Sequence, residues 1–312
     1  MKIQMMTAEK CRRIGTIILT LFLLCPLAKA QVYITDYKIN KTEKYLFSEY
    51  ETTFSTYRTE DGDVFVDEFI VDIELPEKGS LDEVSEKNIY EKISSIINGN
   101  TKDLSPEGMI HKYIDEKCLS KYETHKIKGD AECNNFMSSI RSKNPMMSEE
   151  MLWEPAYYGI VTGKLICQTN MFLSYSVTEK TCNAMTCIRK ETVFVYDIVN
   201  KRFLDENDTL LPDKAEAYLE LVRSTMTREQ KLAYNKSEVN YNGNFYIDEF
   251  GLTYVFNSDN YLDEYDATIH VLINAKSVRL MTKPESVVYK FFNIGQVERV
   301  KAKKQNKAVA IN

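Results

Sequence analysis

Asn244–Leu280, NFYIDEFGLTYVFNSDNYLDEYDATIHVLINAKSVRL, decides how the rest of the chain is read. Leu252, Tyr254 and Phe256 fall on one face at period two, and Ile269, Val271 and Ile273 repeat the pattern further on. The spacing predicts a hairpin followed by a third strand. Gly251 closes the turn Asp248-Glu249-Phe250-Gly251, where a positive φ would favour a residue without Cβ. No catalytic motif sits on this frame.

Working outward, Tyr157–Val161, Lys164–Gln168, Met171–Val177 and Ile188–Ile198 read as strands, and Val287–Phe292 reads as a last one. A helix opens at Pro212-Asp213 and carries Leu219 and Val222. Nearer the start, Val32–Asn40, Tyr45–Tyr57 and Val64–Leu75 are strand-like, with Asp61-Gly62-Asp63 as a turn. Ser80-Leu81-Asp82-Glu83 predicts a capping box with Ser80 as N-cap. Its helix presents Val84, Ile89, Ile93, Ile96 and Ile97 and stops at Asn98-Gly99. Ser105-Pro106 opens a second helix and a third begins near Asp130, with the polar stretch Glu123–Asp130 read as a loop between them.

The expectation is an α+β fold of antiparallel sheets with helices packed on one face, in two subdomains. Residues 1–30 are expected to be a signal peptide, 31–150 an N-terminal α+β domain, 151–295 a C-terminal α+β domain and 296–312 a disordered basic tail. Lys10, Arg12 and Arg13 precede the apolar run Ile14–Leu27, and Ala28-Lys29-Ala30 is a small-x-small cleavage site. The run is short of the ~20 residues that span a bilayer. The segment carries five basic residues and one acid, so its removal takes the formal charge from −6 to −10. That balance argues against nucleic acid, which demands a basic face. Twenty Tyr against one Trp suggest sheets with one solvated face, since Tyr buries a ring while its hydroxyl stays wet.

Export permits disulfides. Cys182 and Cys187 are candidates to close a small loop, and Cys118 and Cys133 to join two helices, leaving Cys167 as a buried apolar residue. Spacing alone does not fix the connectivity. The three histidines, His111, His125 and His270, lie in no metal or catalytic motif, and the sequence holds no nucleophile elbow, Walker loop or dinucleotide fingerprint. The acids at Asp205–Asp208, Asp248-Glu249 and Asp259–Asp266 read as solvated turns, and no EF-hand spacing occurs among them. No cofactor and no metal is expected.

Asn244-Phe245-Tyr246, Gly251-Leu252, Tyr254–Asn257, Tyr261, Tyr265 and the strand Ile269, Val271, Ile273 together resemble the C-terminal domain of RsiV-type extracytoplasmic proteins, a domain of unknown function. Phe172–Tyr175 and Tyr196–Ile198 resemble the strands around that family's Gly-Gly-Ala-His turn, and Val32–Gly99 the companion domain that usually precedes it. Here Cys182-Asn-Ala-Met-Thr-Cys187 replaces the Gly-Gly-Ala-His turn, so no role of that His carries over. The resemblance, with the export signal, implies a non-catalytic protein of the cell envelope, periplasmic or secreted, that binds a protein or a cell-wall glycan. Tyr254, Tyr261, Tyr265, Asn183 and Met185 are the candidate contact residues. The alternatives are an envelope hydrolase using a carboxylate pair or Cys–His, and a structural subunit of an envelope complex.

Overall fold

The structure, a computed structural model, describes residues 31–35, 38–43, 47–60, 63–99, 105–119, 123–143, 157–183, 187–233, 243–257 and 268–294. The expected signal segment and basic tail lie outside them. Nine strands form one large sheet: β1 (Gln31–Thr35), β2 (Asn40–Glu43), β3 (Phe47–Glu60), β4 (Asp63–Pro76), β5 (Glu123–Ile127), β6 (Tyr157–Gln168), β7 (Phe172–Asn183), β8 (Cys187–Asp197) and β9 (Arg202–Phe203). Their order is β5-β1-β3-β4-β6-β7-β8-β9, with β2 paired to β3. A smaller antiparallel sheet holds β10 (Phe245–Ile247), β11 (Gly251–Asn257) and β12 (Thr268–Asn274).

The α+β class is as expected, but the large sheet is mixed. β1 runs parallel to β5, and β4 runs parallel to β6. The boundary expected near residue 150 falls between β4 and β6, which are neighbours in this sheet. The stretch Glu123–Ile127, read from sequence as loop, is β5; a parallel partner 92 residues away in sequence leaves no local signature.

α1 (Glu83–Asn98) and α2 (Pro106–Tyr113) cover one face of the large sheet. Ile89, Ile93 and Ile97 of α1 meet Val71, Ile73 and Leu75 of β4 and Tyr175 and Tyr196 of β7 and β8. The N-cap of α1 is Asp82, not Ser80: its carboxylate accepts from the Ser85 amide and hydroxyl, while Glu86 reaches back to the Gly79 and Leu81 amides. Hydrogen bonds from Ser85 and Lys201 hold the Asp82 carboxyl down to about 2. Starting the helix two residues later turns Val84 outward to solvent. α2 begins as expected at Ser105, whose hydroxyl accepts from the Gly108 amide, and passes into a π-helical turn at Ile114–Leu119.

Helices also pack on the other face of the large sheet. There α3 (Gly129–Lys143) seats Met137 and Ile140 on Tyr57 of β3. Beyond β9 come α4 (Glu206–Thr209), α5 (Ala215–Thr225), α6 (Arg228–Ala233), α7 (Ala275–Met281) and α8 (Val287–Ile294). α5, α7 and α8 enclose a second core with the small sheet and with Phe172 and Val195. α8 corrects the strand expected at Val287–Phe292. Ser286 caps it through the Tyr289 amide, and Val287, Val288, Phe291 and Phe292 are buried at helical spacing.

Candidate functional site

Between α3 and the small sheet, no described helix or strand covers the large sheet, which has an open face there. Alternation in β3, β4, β6 and β7 puts most apolar side chains toward α1 and α2 and leaves mainly polar ones on this side, with Ile70 and Ile160 among them. One cross-strand row reads Thr53, Ile70, Ile160, Lys180, Arg189. The next reads Glu51, Asp72, Thr162, Thr178, Glu191. All but Glu191 are exposed or half-buried. Lys164 ties three strands here: its Nζ stands 2.6 Å from both Glu49 Oε1 and Asp72 Oδ1. Burial would lower the Lys164 ammonium pKa, but the hydrogen bonds to Asp72 and Glu49 outweigh it and leave it raised.

The face ends at a seam where the small sheet meets the outer edge of β8. An edge strand presents backbone groups that need partners. Two asparagine side chains supply them. Asn244 Oδ1 accepts from the Val193 amide at 2.7 Å, and Asn257 Oδ1 from the Glu191 amide at 2.8 Å. Both Nδ2 groups donate to the Glu191 carbonyl at 2.9 Å. Asn244 Nδ2 also reaches the Val255 carbonyl at 3.0 Å. On β7, the Ser174 hydroxyl donates to the Ile247 carbonyl and accepts from the Ile247 amide. The small sheet is thus fastened by side chains that imitate a strand.

The Glu191 side chain adds a charged tie. Its carboxylate, 5% exposed as a residue, lies 3.0 Å from His270 Nε2 and 2.8 Å from the Ser176 hydroxyl that donates to it. Arg189 stands 3.3 Å away. Burial pushes the Glu191 carboxyl up, but His270, Ser176 and Arg189 together hold it below its ordinary value. The carboxylate lies between hydroxyl and imidazole. In an acyl-transfer triad the imidazole takes the middle place, so this order is that of a tie between sheets.

Of the expected contact residues, Tyr254 is a correction. It is 2% exposed and packs against Tyr218, Phe245 and Phe256, so it belongs to the core. Tyr261, Tyr265 and Met185 lie outside the described residues, as does the side chain of Asn183 at the end of β7. Cys182 and Cys187 are bonded, directly opposite each other at the end of the β7–β8 hairpin. The side chains of Cys118 and Cys133 lie outside the described residues. Cys167 is half-buried beside the irregularity in β6. His111 and His125 are exposed on α2 and β5.

The acidic clusters are caps and turns where described. Asp205 caps α4, Asp208 pairs with Arg202 at 2.6 Å, and Asp248 Oδ1 accepts from the Phe250 and Gly251 amides. Gly251 is required for space, not for positive φ: a Cβ there would collide with the Ile273 carbonyl as β12 passes. Among the described residues, no helix is long and apolar enough to cross a membrane, and no cluster of three His, Cys, Asp or Glu is placed to hold a metal ion. Sequence reasoning missed the Asn244–Asn257 seam; it expected a solvated sheet face but did not locate it, although the polar alternation Glu49, Glu51, Thr53, Ser55 marks it.

The architecture is α+β, with a large mixed sheet, a small antiparallel sheet and helices packed on them. A crystal structure of a DUF3298 family member from Bacteroides fragilis superposes at TM-score 0.55 and 13% identity, covering 81% of this chain and 96% of that one. A DUF3298 family protein from Pseudomonas aeruginosa PAO1 overlaps 80% of this chain and 94% of its own at TM-score 0.43 and 10% identity, too distant to carry weight. The first likeness shows a shared fold. No protein-family model and no curated protein matches the sequence.

Proposed function

We propose that the mature chain is an exported, non-catalytic envelope protein, akin to the RsiV-type extracytoplasmic domain, that binds a protein or a cell-wall glycan. The open face of the large sheet carries this reading. A sheet with one packed and one polar face, bounded by α3 and the small sheet, offers a broad contact surface on rigid elements. The apolar run before Ala28-Lys29-Ala30 and the Cys182–Cys187 bond both accord with an oxidising compartment outside the cytoplasm. Contact through this face requires no proton transfer by histidine.

The test uses the mature protein, purified cell-wall sacculi and soluble muropeptides. Retention on sacculi is expected to persist when His111, His125 and His270 are all replaced by Gln, and to fall when Thr53 and Ile160 on the open face become Arg. Turnover of muropeptides that a single acidic or cysteine substitution abolishes would reject the proposal in favour of a hydrolase.

A further inference from the structure

The register of the open sheet face sets opposite charges on opposite sides of an apolar centre. Glu68 of β4 stands beside Tyr158 of β6, and Ile70 beside Ile160. On the far side of Ile160 come Lys180 of β7 and then Arg189 of β8. Tyr158, Ile70 and Ile160 are half-buried, so each keeps some apolar surface toward solvent. Period-two alternation puts Glu68 on the same side of β4 as Ile70, and Glu51 of β3 joins it one row further on, opposite Asp72.

The other charges of this face are engaged with one another. Lys164 is shared among Glu49, Asp72 and Glu74, and Glu191 is shared between Arg189 and His270. Glu51, Glu68 and Lys180 have no ion pair or side-chain hydrogen bond among the described residues. What the face offers a ligand is therefore carboxylate on the β3 and β4 side, ammonium on β7, and an apolar strip between them. Glu68 and Lys180 are separated by two strand spacings and one two-residue step, about 12 Å along the backbone surface.

We propose that this face takes a short zwitterionic peptide with an apolar middle, its ammonium at Glu68, its carboxylate at Lys180 and its central side chains resting on Tyr158, Ile70 and Ile160. An extended peptide of four residues spans about 13 Å, which matches the separation of the two charges. Charge complementarity selects this occupant. A polyanion is repelled by Glu51 and Glu68, and a polycation by Lys180. A neutral sugar chain gives neither charge a counterpart, whereas the two ends of a peptide give both a charge-assisted hydrogen bond. The inference rests on the contact reading of this face proposed above and names the chemistry of its ligand.

Methyl NMR of isotope-labelled isoleucines in the mature chain tests it with the peptide Ala-Leu-Leu-Ala, its N-acetylated form, its C-amidated form and the neutral sugar chitotetraose. The unblocked peptide is expected to shift the Ile70 and Ile160 methyls and to leave those of Ile89, Ile93 and Ile97, buried beneath α1, in place. Blocking either end is expected to weaken binding about tenfold. Glu68→Gln is expected to bring the same loss for the unblocked peptide and no further loss for the acetylated one; Lys180→Gln does the same with respect to the amidated one. The blocked peptides carry the test even where a variant fails to fold. Equal binding of blocked and unblocked peptides, variants that weaken every peptide alike, tighter binding of chitotetraose, or no shift at about 10 mM peptide overturns the proposal. Retention on sacculi in that event leaves the contact reading standing, whereas its loss as well rejects both.

Discussion

Replacing Asn244 by alanine probes what holds the small sheet to the large one. The substitution removes the acceptor of the Val193 amide and the donor to the Glu191 and Val255 carbonyls. The Glu191 carbonyl keeps Asn257, so the Val193 N–H bears the largest loss. An orphaned buried donor costs about 1–3 kcal/mol and each lost neutral bond about 1, which puts the variant about 2–4 kcal/mol below wild type. Asn257→Ala removes the partner of the Glu191 amide and one of the two donors to its carbonyl, with a similar expected cost. The double variant leaves the Glu191 carbonyl without either amide donor. It is therefore expected to exceed the sum of the singles by about 1 kcal/mol, as for residues sharing a partner. Urea unfolding measures the totals. Amide hydrogen exchange localises them: exchange should accelerate at Glu191 and Val193 and stay unchanged along β4. A single-variant loss under about 0.5 kcal/mol, or exchange that accelerates evenly across both sheets, would refute the account of the seam.

Two further outcomes follow from the same region. Glu191 has a lowered carboxyl pKa, so its contribution is present above the ordinary value of 4.5 and is lost as pH falls through the folded value; Glu191→Gln should cost about 1–3 kcal/mol at pH 7, with the gap to wild type closing on acidification below pH 4.5. Gly251→Ala forces a methyl into the Ile273 carbonyl and should cost at least about 2 kcal/mol in thermal melts, whereas the exposed neighbour Phe250→Ala should lie within about 0.5 kcal/mol of wild type.

How much of this was legible depended on whether the cause of each feature was local. Ile269, Val271 and Ile273 alternate because one face of β12 is packed and the other is exposed, and with the period of Leu252, Tyr254 and Phe256 the strands β10–β12 could be read directly. Asp82 displaced Ser80 as cap because Lys201 and Ser85 both engage its carboxylate, and Lys201 lies 119 residues away. VVYKFFNI looks like a strand by its β-branched and aromatic content. Burial at positions 287, 288, 291 and 292, behind a Ser cap, was the signal for a helix. The seam was invisible for a different reason. Asn244 and Asn257 bracket a hairpin as ordinary turn-forming residues would, and only the approach of β8 gives their amides a second use. His270 likewise meets Glu191 across 79 residues of sequence. Gly251 was correctly singled out, but its reason is the crossing of another strand, which no turn rule contains.

The parallel pairing of β4 with β6 has a bearing on biogenesis. β4 ends at Pro76 and its partner begins only at Tyr157, so the residues between must be made before that side of β4 can be closed. Ribosomes add ~5–20 residues per second, and the Val71-Ile73-Leu75 strand therefore waits for some seconds with a bare flank. A chain that crosses a membrane unfolded meets that interval on the far side, which gives an escorting chaperone reason to shield β4.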